Sequence, residues 1–242
     1  MRYGIFSDVH ANLEAFEAFL TAVESERVDQ FLCIGDIVGY GANPNECVHR
    51  VKSLNCFSVA GNHDWASVDL FPEQYFNSDA LEAIKWTRKE LDIISRNFLK
   101  EQPLIFLDKG LVLVHGTLVD SDKFNYLDTE SVARESFRVL KRDICFVGHT
   151  HSPGVFVQES LGRIEYFLKD HFELKNEHKY IVNVGSVGQP RDGNPQASFC
   201  IYDTLKKEIV FKRADYDAQG ARDKIVESGL PQFLGDRLLN GV

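Results

Sequence analysis

The chain of 242 residues contains eight histidines. His10, His63, His115, His149 and His151 all stand at the ends of strand-like apolar runs. In chain order the polar clusters read Asp8-Val9-His10, Gly35-Asp36, Gly61-Asn62-His63-Asp64, His115-Gly116 and Gly148-His149-Thr150-His151. Imidazole nitrogens, carboxylates and amide oxygens are ligands for divalent metals. Asp8 and His10 are two residues apart, so an extended backbone would put both on one side. His149 and His151 repeat that spacing. Asp36, Asn62 and His115 offer further donors from separate strand ends. These seven donors exceed the roughly four of a zinc site. They suit two metals sharing one carboxylate, about 3.5–4 Å apart. No cysteine joins the set, which favours Mn²⁺, Fe or Zn²⁺.

The elements that must position these residues are legible in the apolar pattern. Arg2 to Phe6 reads as a buried strand. Leu13, Phe16, Leu20 and Val23 then recur at helical spacing behind Asn12 as N-cap. Phe31 to Ile34 is a second strand. Asn43-Pro44 opens a helix whose apolar face is Cys47, Val48, Val51 and Leu54. Cys56 to Ala60 is a third strand. Three successive βα units imply a mainly parallel sheet with right-handed crossovers. Ligands bind such sheets at the carboxyl ends of the strands.

Residues 78–100 are expected to form one long helix with Leu81, Ile84, Leu91, Ile94 and Phe98 inward. Strand-like runs follow at 104–107, 111–115, 144–148, 154–158, 163–168, 180–184, 197–202 and 208–212, with a helix near 129–141. Ser160-Leu161-Gly162 marks a hairpin. This density of strands predicts a second sheet packed on the first. Ala197 to Tyr202 could be an edge strand used in a homo-oligomer. Residues 216–242 read as terminal helical or irregular packing. No repeat or linker divides the chain, so one α/β domain over 1–242 is expected.

Composition narrows the function. The net charge of −9 argues against binding a nucleic-acid polymer, which needs clustered Lys and Arg. It leaves open a small phosphorylated substrate, because a local site can oppose the global sign. No uncharged apolar stretch approaches the ~20 residues of a membrane span, and no signal peptide precedes Asp8 and His10. The five cysteines form no CxxC pair and are expected to be buried free thiols in a cytoplasmic protein.

The ordered set D-x-H, G-D, G-N-H-D, H and G-H-x-H, spanning residues 8 to 151, resembles the calcineurin-like metallophosphoesterases. The resemblance implies two mixed β-sheets packed as a sandwich with flanking helices, a four-layer fold, and a dimetal site at the strand ends. It implies one metal held by Asp8, His10, Asp36 and His151, and another held by Asp36, Asn62, His115 and His149. Asp36 would bridge them, and a metal-bridging hydroxide would attack the phosphoester. His63 matches the family's non-ligand histidine, which protonates the leaving oxygen or stabilises charge there. Asp64 would orient the loop or a neighbouring ring. The expected reaction is hydrolysis of a small phosphodiester or phosphomonoester. The alternatives are a phosphoprotein or dinucleoside polyphosphate phosphatase, a nuclease, or a non-catalytic scaffold of the same fold. The intact ligand set and His63 weigh against the scaffold.

Protein phosphatases and symmetrical dinucleoside tetraphosphatases of this superfamily carry an arginine shortly after G-D. Gly35-Asp36-Ile37-Val38-Gly39-Tyr40-Gly41 has none, so the sequence is closer to the small bacterial and archaeal phosphoesterases. Arg191, in Gly185-Ser186-Val187-Gly188-Gln189-Pro190-Arg191, is the candidate substitute cation; its alternative is a loop ion pair with Asp192 or another carboxylate. Asn12 reads as a helix cap or a donor to substrate. Tyr40 and Trp65 could stack on an aromatic group or simply form walls. Asp120, Asp122 and Tyr126 follow the His115 loop and could line an entrance. His49, His171 and His178 are expected to lie apart from the chemistry.

Overall fold

The computed structural model describes residues 1–108 and 110–242. The chain opens with β1 (Arg2–Phe6), α1 (Leu13–Glu24), β2 (Gln30–Cys33), α2 (Pro44–Ser53), the two-residue β3 (Phe57–Ser58) and the short α3 (Asn62–Ala66). Asn12 caps α1 by accepting from Ala15 N, and Pro44 starts α2 with its φ already preset. Then come α4 (Ser78–Glu90), α5 (Ile93–Glu101), β4 (Ile105–Leu107), β5 (Leu111–Val114), α6 (Glu130–Val139) and β6 (Ile144–Val147). The rest comprises β7 (Gly154–Gln158), β8 (Ile164–Phe167), β9 (His171–Glu173), β10 (Lys179–Asn183), β11 (Ala197–Asp203), β12 (Glu208–Ala214), α7 (Ala218–Glu227) and α8 (Gln232–Asp236).

Two six-stranded mixed sheets result, ordered β3-β2-β1-β11-β12-β9 and β4-β5-β6-β10-β7-β8. Side chains alternate between faces along each strand. Ile5, Leu32, Leu113, Phe146 and Val182 share the core between the sheets. Phe6 turns the other way, onto Phe16 and Phe19 of α1. Val112 and Val114 likewise turn outward to pack with Phe137 of α6. The order of layers is helices, sheet, sheet, helix, as the resemblance implied.

Each sheet contains a parallel set: β1 with β2 and β2 with β3, then β5 with β6 and β6 with β10. The carboxyl ends of these six strands carry every motif cluster, on one rim of the sandwich.

Three expectations need correction. The 78–100 helix is broken. Leu91 leaves the helical region with ψ 125°, and Asp92 caps a new helix by accepting from Ser95 N. Ile94, expected inward, is 49% exposed after this change of axis, and Leu99 is buried in its place. The strand at 197–203 is interior, paired on both sides by β1 and β12, so it is no edge for a partner. β9 was not anticipated; it forms by pairing Phe172 with Ile209.

Candidate metal centre

The ligand candidates sit just beyond the strands, in loops laced together by main-chain bonds. Asp8 N donates to Gly35 O at 3.0 Å, His10 N to Asp36 O at 3.0 Å, and Gly148 N to His115 O at 3.0 Å. The extended geometry expected for Asp8 and His10 does not persist. Both have left-handed φ, 53° and 49°, as do Asp36 (51°), His149 (68°) and His151 (59°). Such conformations cost non-glycine residues of order 1–3 kcal/mol each and cluster at functional sites. They turn the side chains inward from strands that have already ended.

The convergence is tight. His10 Nε2 lies 3.1 Å from His151 Nε2, 3.7 Å from Asp8 Oδ1 and 3.6 Å from Asp36 Oδ2. His151 Nε2 is 3.3 Å from Asp8 Oδ1, and His115 Nε2 is 3.2 Å from Asp36 Oδ2. Potential ligand atoms of Asp8, His10 and His151 lie within 4.8 Å of one another, and so do those of Asp36, His115 and His149. Asp36 also groups with His10 and His63, which places it between the two sets.

The donor atoms themselves show that the residues fit metal ions. Nδ1 of His10, His115 and His151 contacts the main-chain oxygens of Val38, Ile34 and Gln189 at 3.1, 2.6 and 2.6 Å. A carbonyl can only accept, so Nδ1 carries the proton and Nε2 of a neutral ring is left as a lone pair. The lone pairs of His10 and His151 then face each other with nothing to share unless a cation lies between. Asp8 Oδ1, Asp36 Oδ2, Asn62 Oδ1 and His115 Nε2 are buried without a hydrogen-bond partner. Buried polar groups are rarely left so.

Electrostatics agree. Burial opposes charge on Asp8 and Asp36, yet His151 facing the first and His115 facing the second hold both carboxyls well below their usual range. Burial drives His10, His149 and His63 toward the neutral form, to about 3 for His149 and about 4 for His63. Burial also opposes a charge on His115, but Asp36 and then Asp8 push it up to about 9, so without a cation its Nε2 holds a proton toward Asp36 that a bound metal ion would replace.

His63 starts α3 beside the centre. Its ring packs 4.4 Å from Tyr40, 4.9 Å from His10 and 5.0 Å from Phe76, and its Nδ1 is buried without a partner. Its main-chain N donates to Asp36 Oδ1 at 2.9 Å. Asp64 binds loops rather than a ring: it accepts from Ile37 N, Val38 N and Gly61 N at 2.8, 3.1 and 3.1 Å. Burial and then the Asp36 charge push its carboxyl up to about 7.

A cleft of about 250 Å³ opens over the centre, lined among others by Asp36, Asn62, His63, His149, His151 and Arg191. Arg191 makes no ion pair with Asp192, which instead pairs with Arg213. Its guanidinium donates to Gln189 Oε1 at 2.7 Å and lies 5.7 Å from the Tyr40 ring centre. Asn12 lies outside this cleft. Its amide is committed on both sides, accepting from Ala15 N and donating to Gly188 O at 2.8 Å, so it acts as the helix cap. Trp65 packs edge-on against Phe124. Tyr126 lines the cleft and stacks on His149 at 4.1 Å; Asp120 pairs with Lys123, which also lines the cleft. His49 and His171 are engaged far along the chain, with Asp92 and Glu208.

Gln189 was missed by sequence reasoning. Its main-chain oxygen orients His151 and its side chain orients Arg191. The only local signal was its place between Gly188 and Pro190 in a turn-rich loop.

A sandwich of two mixed sheets with buried His and Asp clusters at the strand ends is the architecture of a metallophosphoesterase. A calcineurin-like phosphoesterase superfamily domain matches residues 1–207, and the chain belongs to that family, which implies divalent metal ions. The chain is 39% identical over 241 residues to an uncharacterised protein of Methanocaldococcus jannaschii, covering 98% of this chain and 97% of the other. A metallophosphoesterase from Sphaerobacter thermophilus shares its structure with a TM-score of 0.88 at 36% identity, over all of both chains. A symmetrical bis(5'-nucleosyl)-tetraphosphatase of Actinobacillus pleuropneumoniae is 28% identical over 144 residues, 57% of this chain and 52% of that protein. Among the described residues, no helix is long and apolar enough to cross a membrane.

Proposed function

We propose that this chain hydrolyses small phosphate esters, mono- or diesters, at a dinuclear metal centre. The observation that carries this reading is the convergence of buried, unpartnered donor atoms of Asp8, Asp36, Asn62 and His115 beneath a cleft holding His63 and Arg191. Asp8, His10, Asp36 and His151 would hold one ion; Asp36, Asn62, His115 and His149 would hold the other. The oxygen and nitrogen donor set suits Mn²⁺, Fe or Zn²⁺. Two such ions supply an acidified water for in-line attack at phosphorus and positive charge for the phosphoryl oxygens.

The protein's own groups do the rest. Arg191 offers paired N–H donors to a phosphate oxygen, and Gln189 fixes the plane of that guanidinium. His63 faces the leaving oxygen. Burial favours its neutral ring, and an anionic ester beside it raises its proton affinity, allowing it to pass a proton to the departing group. Tyr40 and Phe76 hold the ring in place. β12 belongs to the first sheet and α7 packs on α1, which supports one domain across 1–242. Five unpaired thiols, four of them buried, support a cytoplasmic location.

The test is turnover of bis-p-nitrophenyl phosphate and p-nitrophenyl phosphate by protein loaded with Mn²⁺, then stripped with a chelator. Activity on either substrate that is lost with the metal supports the reading, and the preferred substrate sets the diester or monoester assignment. No activity with Mn²⁺, Fe²⁺ or Zn²⁺ would return the chain to the scaffold alternative.

A further inference from the structure

A second cavity, of about 400 Å³, lies on the outer face of the second sheet where α6 begins. Its floor comes from residues two apart on three strands: Gly154 and Phe156 of β7, Ile164 and Tyr166 of β8, Ile181 and Asn183 of β10. Alternation turns each of these pairs to the same face. Phe156, Ile164 and Ile181 pack with Leu127 and Val147 in the cluster beneath α6. Gly154 makes room at the mouth, because a Cβ there would overlap the Tyr166 hydroxyl. The Tyr166 ring lies 4.9 Å from Phe156, and the residue is 59% exposed. A cavity of this size takes a small organic molecule.

The lining selects the chemistry of that molecule. Every side-chain donor in it is already committed. Asn183 Nδ2 donates to Gly148 O at 2.7 Å and to Thr150 Oγ1 at 2.9 Å. Thr150 Oγ1 donates to Ser152 O at 3.3 Å, Ser152 Oγ to Arg191 O at 3.3 Å, and Tyr166 Oη to Pro153 O at 3.5 Å. Acceptors and ring faces remain. At the rim, Asp128 has no hydrogen bond or ion pair among the described residues, and Glu130 pairs with Arg134. No Lys, Arg or His lines the cavity. A phosphate or carboxylate would find no side-chain donor and would face Asp128, so the cavity does not continue the substrate cleft. An ammonium group only donates, and it is drawn both to a carboxylate and to aromatic faces such as those of Phe156 and Tyr166. The start of α6 opposes a cation with about half an elementary charge, less than the full charge of Asp128.

The cavity shares two walls with the metal centre. Thr150 and Ser152 line it, alternating along the chain with His149 and His151, which line the cleft. Leu127 lines it too, next to Tyr126, which stacks on His149 from the cleft side. We propose that this cavity binds a small organic cation, an ammonium carried on an apolar body, and that its occupancy is felt at the metal centre through residues 148–152. A ligand that displaces Thr150 or Ser152 displaces the histidines between them. Linkage is reciprocal, so bound metal changes the affinity for the cation by the factor with which the cation changes the affinity for metal. Only this link, and not the binding, rests on the metal centre proposed above.

The experiment titrates 2-phenylethylamine, 2-phenylethanol and phenylacetate into Mn²⁺-loaded protein at pH 7 by calorimetry, and repeats the amine on chelator-treated protein. The amine should bind with a Kd of about 1 mM or tighter, about fivefold tighter than the alcohol, and phenylacetate should not bind. Asp128→Asn, at an exposed position, should abolish the preference for the amine and leave the alcohol unchanged. Ile164→Trp, which fills the cavity, should abolish both, with the folded state of each variant checked by its melting temperature. The amine Kd should differ about fivefold between metal-loaded and stripped protein. No amine binding at 10 mM, equal affinity for amine and alcohol, or amine binding untouched by Asp128→Asn would overturn the site. One amine Kd with and without Mn²⁺ would overturn its link to the metal centre.

Discussion

Gly61 offers a way to disturb the centre without removing a ligand. Its φ of −99° and ψ of 169° suit alanine as well as glycine, so Gly61→Ala adds no backbone strain. The new methyl would overlap both Oδ1 and the main-chain N of Asp36 and sit 2.6 Å from its Cγ. Carbon atoms in contact prefer about 3.5–4.0 Å, so the carboxylate and the main chain that carries it must retreat by about 1 Å. It cannot do so freely, because Oδ1 also accepts from His63 N at 2.9 Å and Asp36 is 1% exposed. Overpacking of this kind costs about 1–3 kcal/mol of stability. A misplacement of about 1 Å in a catalytic constellation costs on the order of 100-fold in rate.

The assay has three parts on one preparation: metal per chain, kcat on the better p-nitrophenyl substrate, and unfolding in urea. Gly61→Ala should remain folded with stability reduced by about 1–3 kcal/mol. Its kcat should fall about 100-fold, with less than the full complement of metal retained after dialysis. Wild-type turnover and metal content in a folded Gly61→Ala protein would refute Asp36 as the carboxylate shared by both ions. A loss of rate equal for a Gly61→Ala and an Asp36→Asn protein would show that the position of Oδ1 matters as much as its charge.

Three further substitutions probe separate parts of the argument. His63→Ala should keep bound metal and lose about 10²–10⁴ in kcat, the usual worth of a positioned acid; a metal-loaded variant turning over like wild type would remove His63 from the mechanism. Asp64→Ala orphans the buried N–H groups of Ile37, Val38 and Gly61 and should cost on the order of 3 kcal/mol in chemical unfolding; a loss under about 1 kcal/mol would mean the loops hold without it. Asp92→Ala removes the cap of α5 and should cost about 1 kcal/mol at neutral pH. The Ser95 N–H holds the Asp92 carboxyl below its usual range, so this contribution is present above the ordinary carboxylate pKa and is lost as pH falls through the lowered value. A gap between wild type and variant that persists undiminished well below pH 3 would contradict the assignment.

The ligand set was legible because its chemistry is confined to a few residue types and glycine punctuates each strand end. Long-range structure left weaker marks. Asp92 followed by Ser95 is a capping signal, but the apolar period runs through it from Leu91 to Phe98, so the break was hidden. β9 has one buried residue, Phe172, and exists only through its register with β12, a contact that no local window contains. The interior place of β11 could have been read. Ala197 to Tyr202 are all buried, as expected of a strand covered on both faces, and an edge strand with one solvent face would alternate with polar residues.

The pairing of Asp8 with His10 shows why a correct inference can rest on a wrong geometry. Strand periodicity predicted that both would face one way, and both do reach one centre. Yet β1 ends at Phe6, and each residue reaches inward through a left-handed turn. His149 and His151 do the same after β6, but into opposite halves of the centre. Local propensity disfavours these turns, so they are held by bonds from outside: Asp8 N to Gly35 O, Gly188 N to Asp8 O at 2.9 Å, and His149 N to Asp8 Oδ2 at 3.1 Å. Each of these bonds joins loops from different strands. The centre is therefore a property of two sheets closed against each other, and the strain it carries is offset only when all of its loops are in place. That dependence explains why short motifs so far apart in the sequence act together: each supplies ligands, and each also holds a neighbour's backbone where it would not otherwise stay.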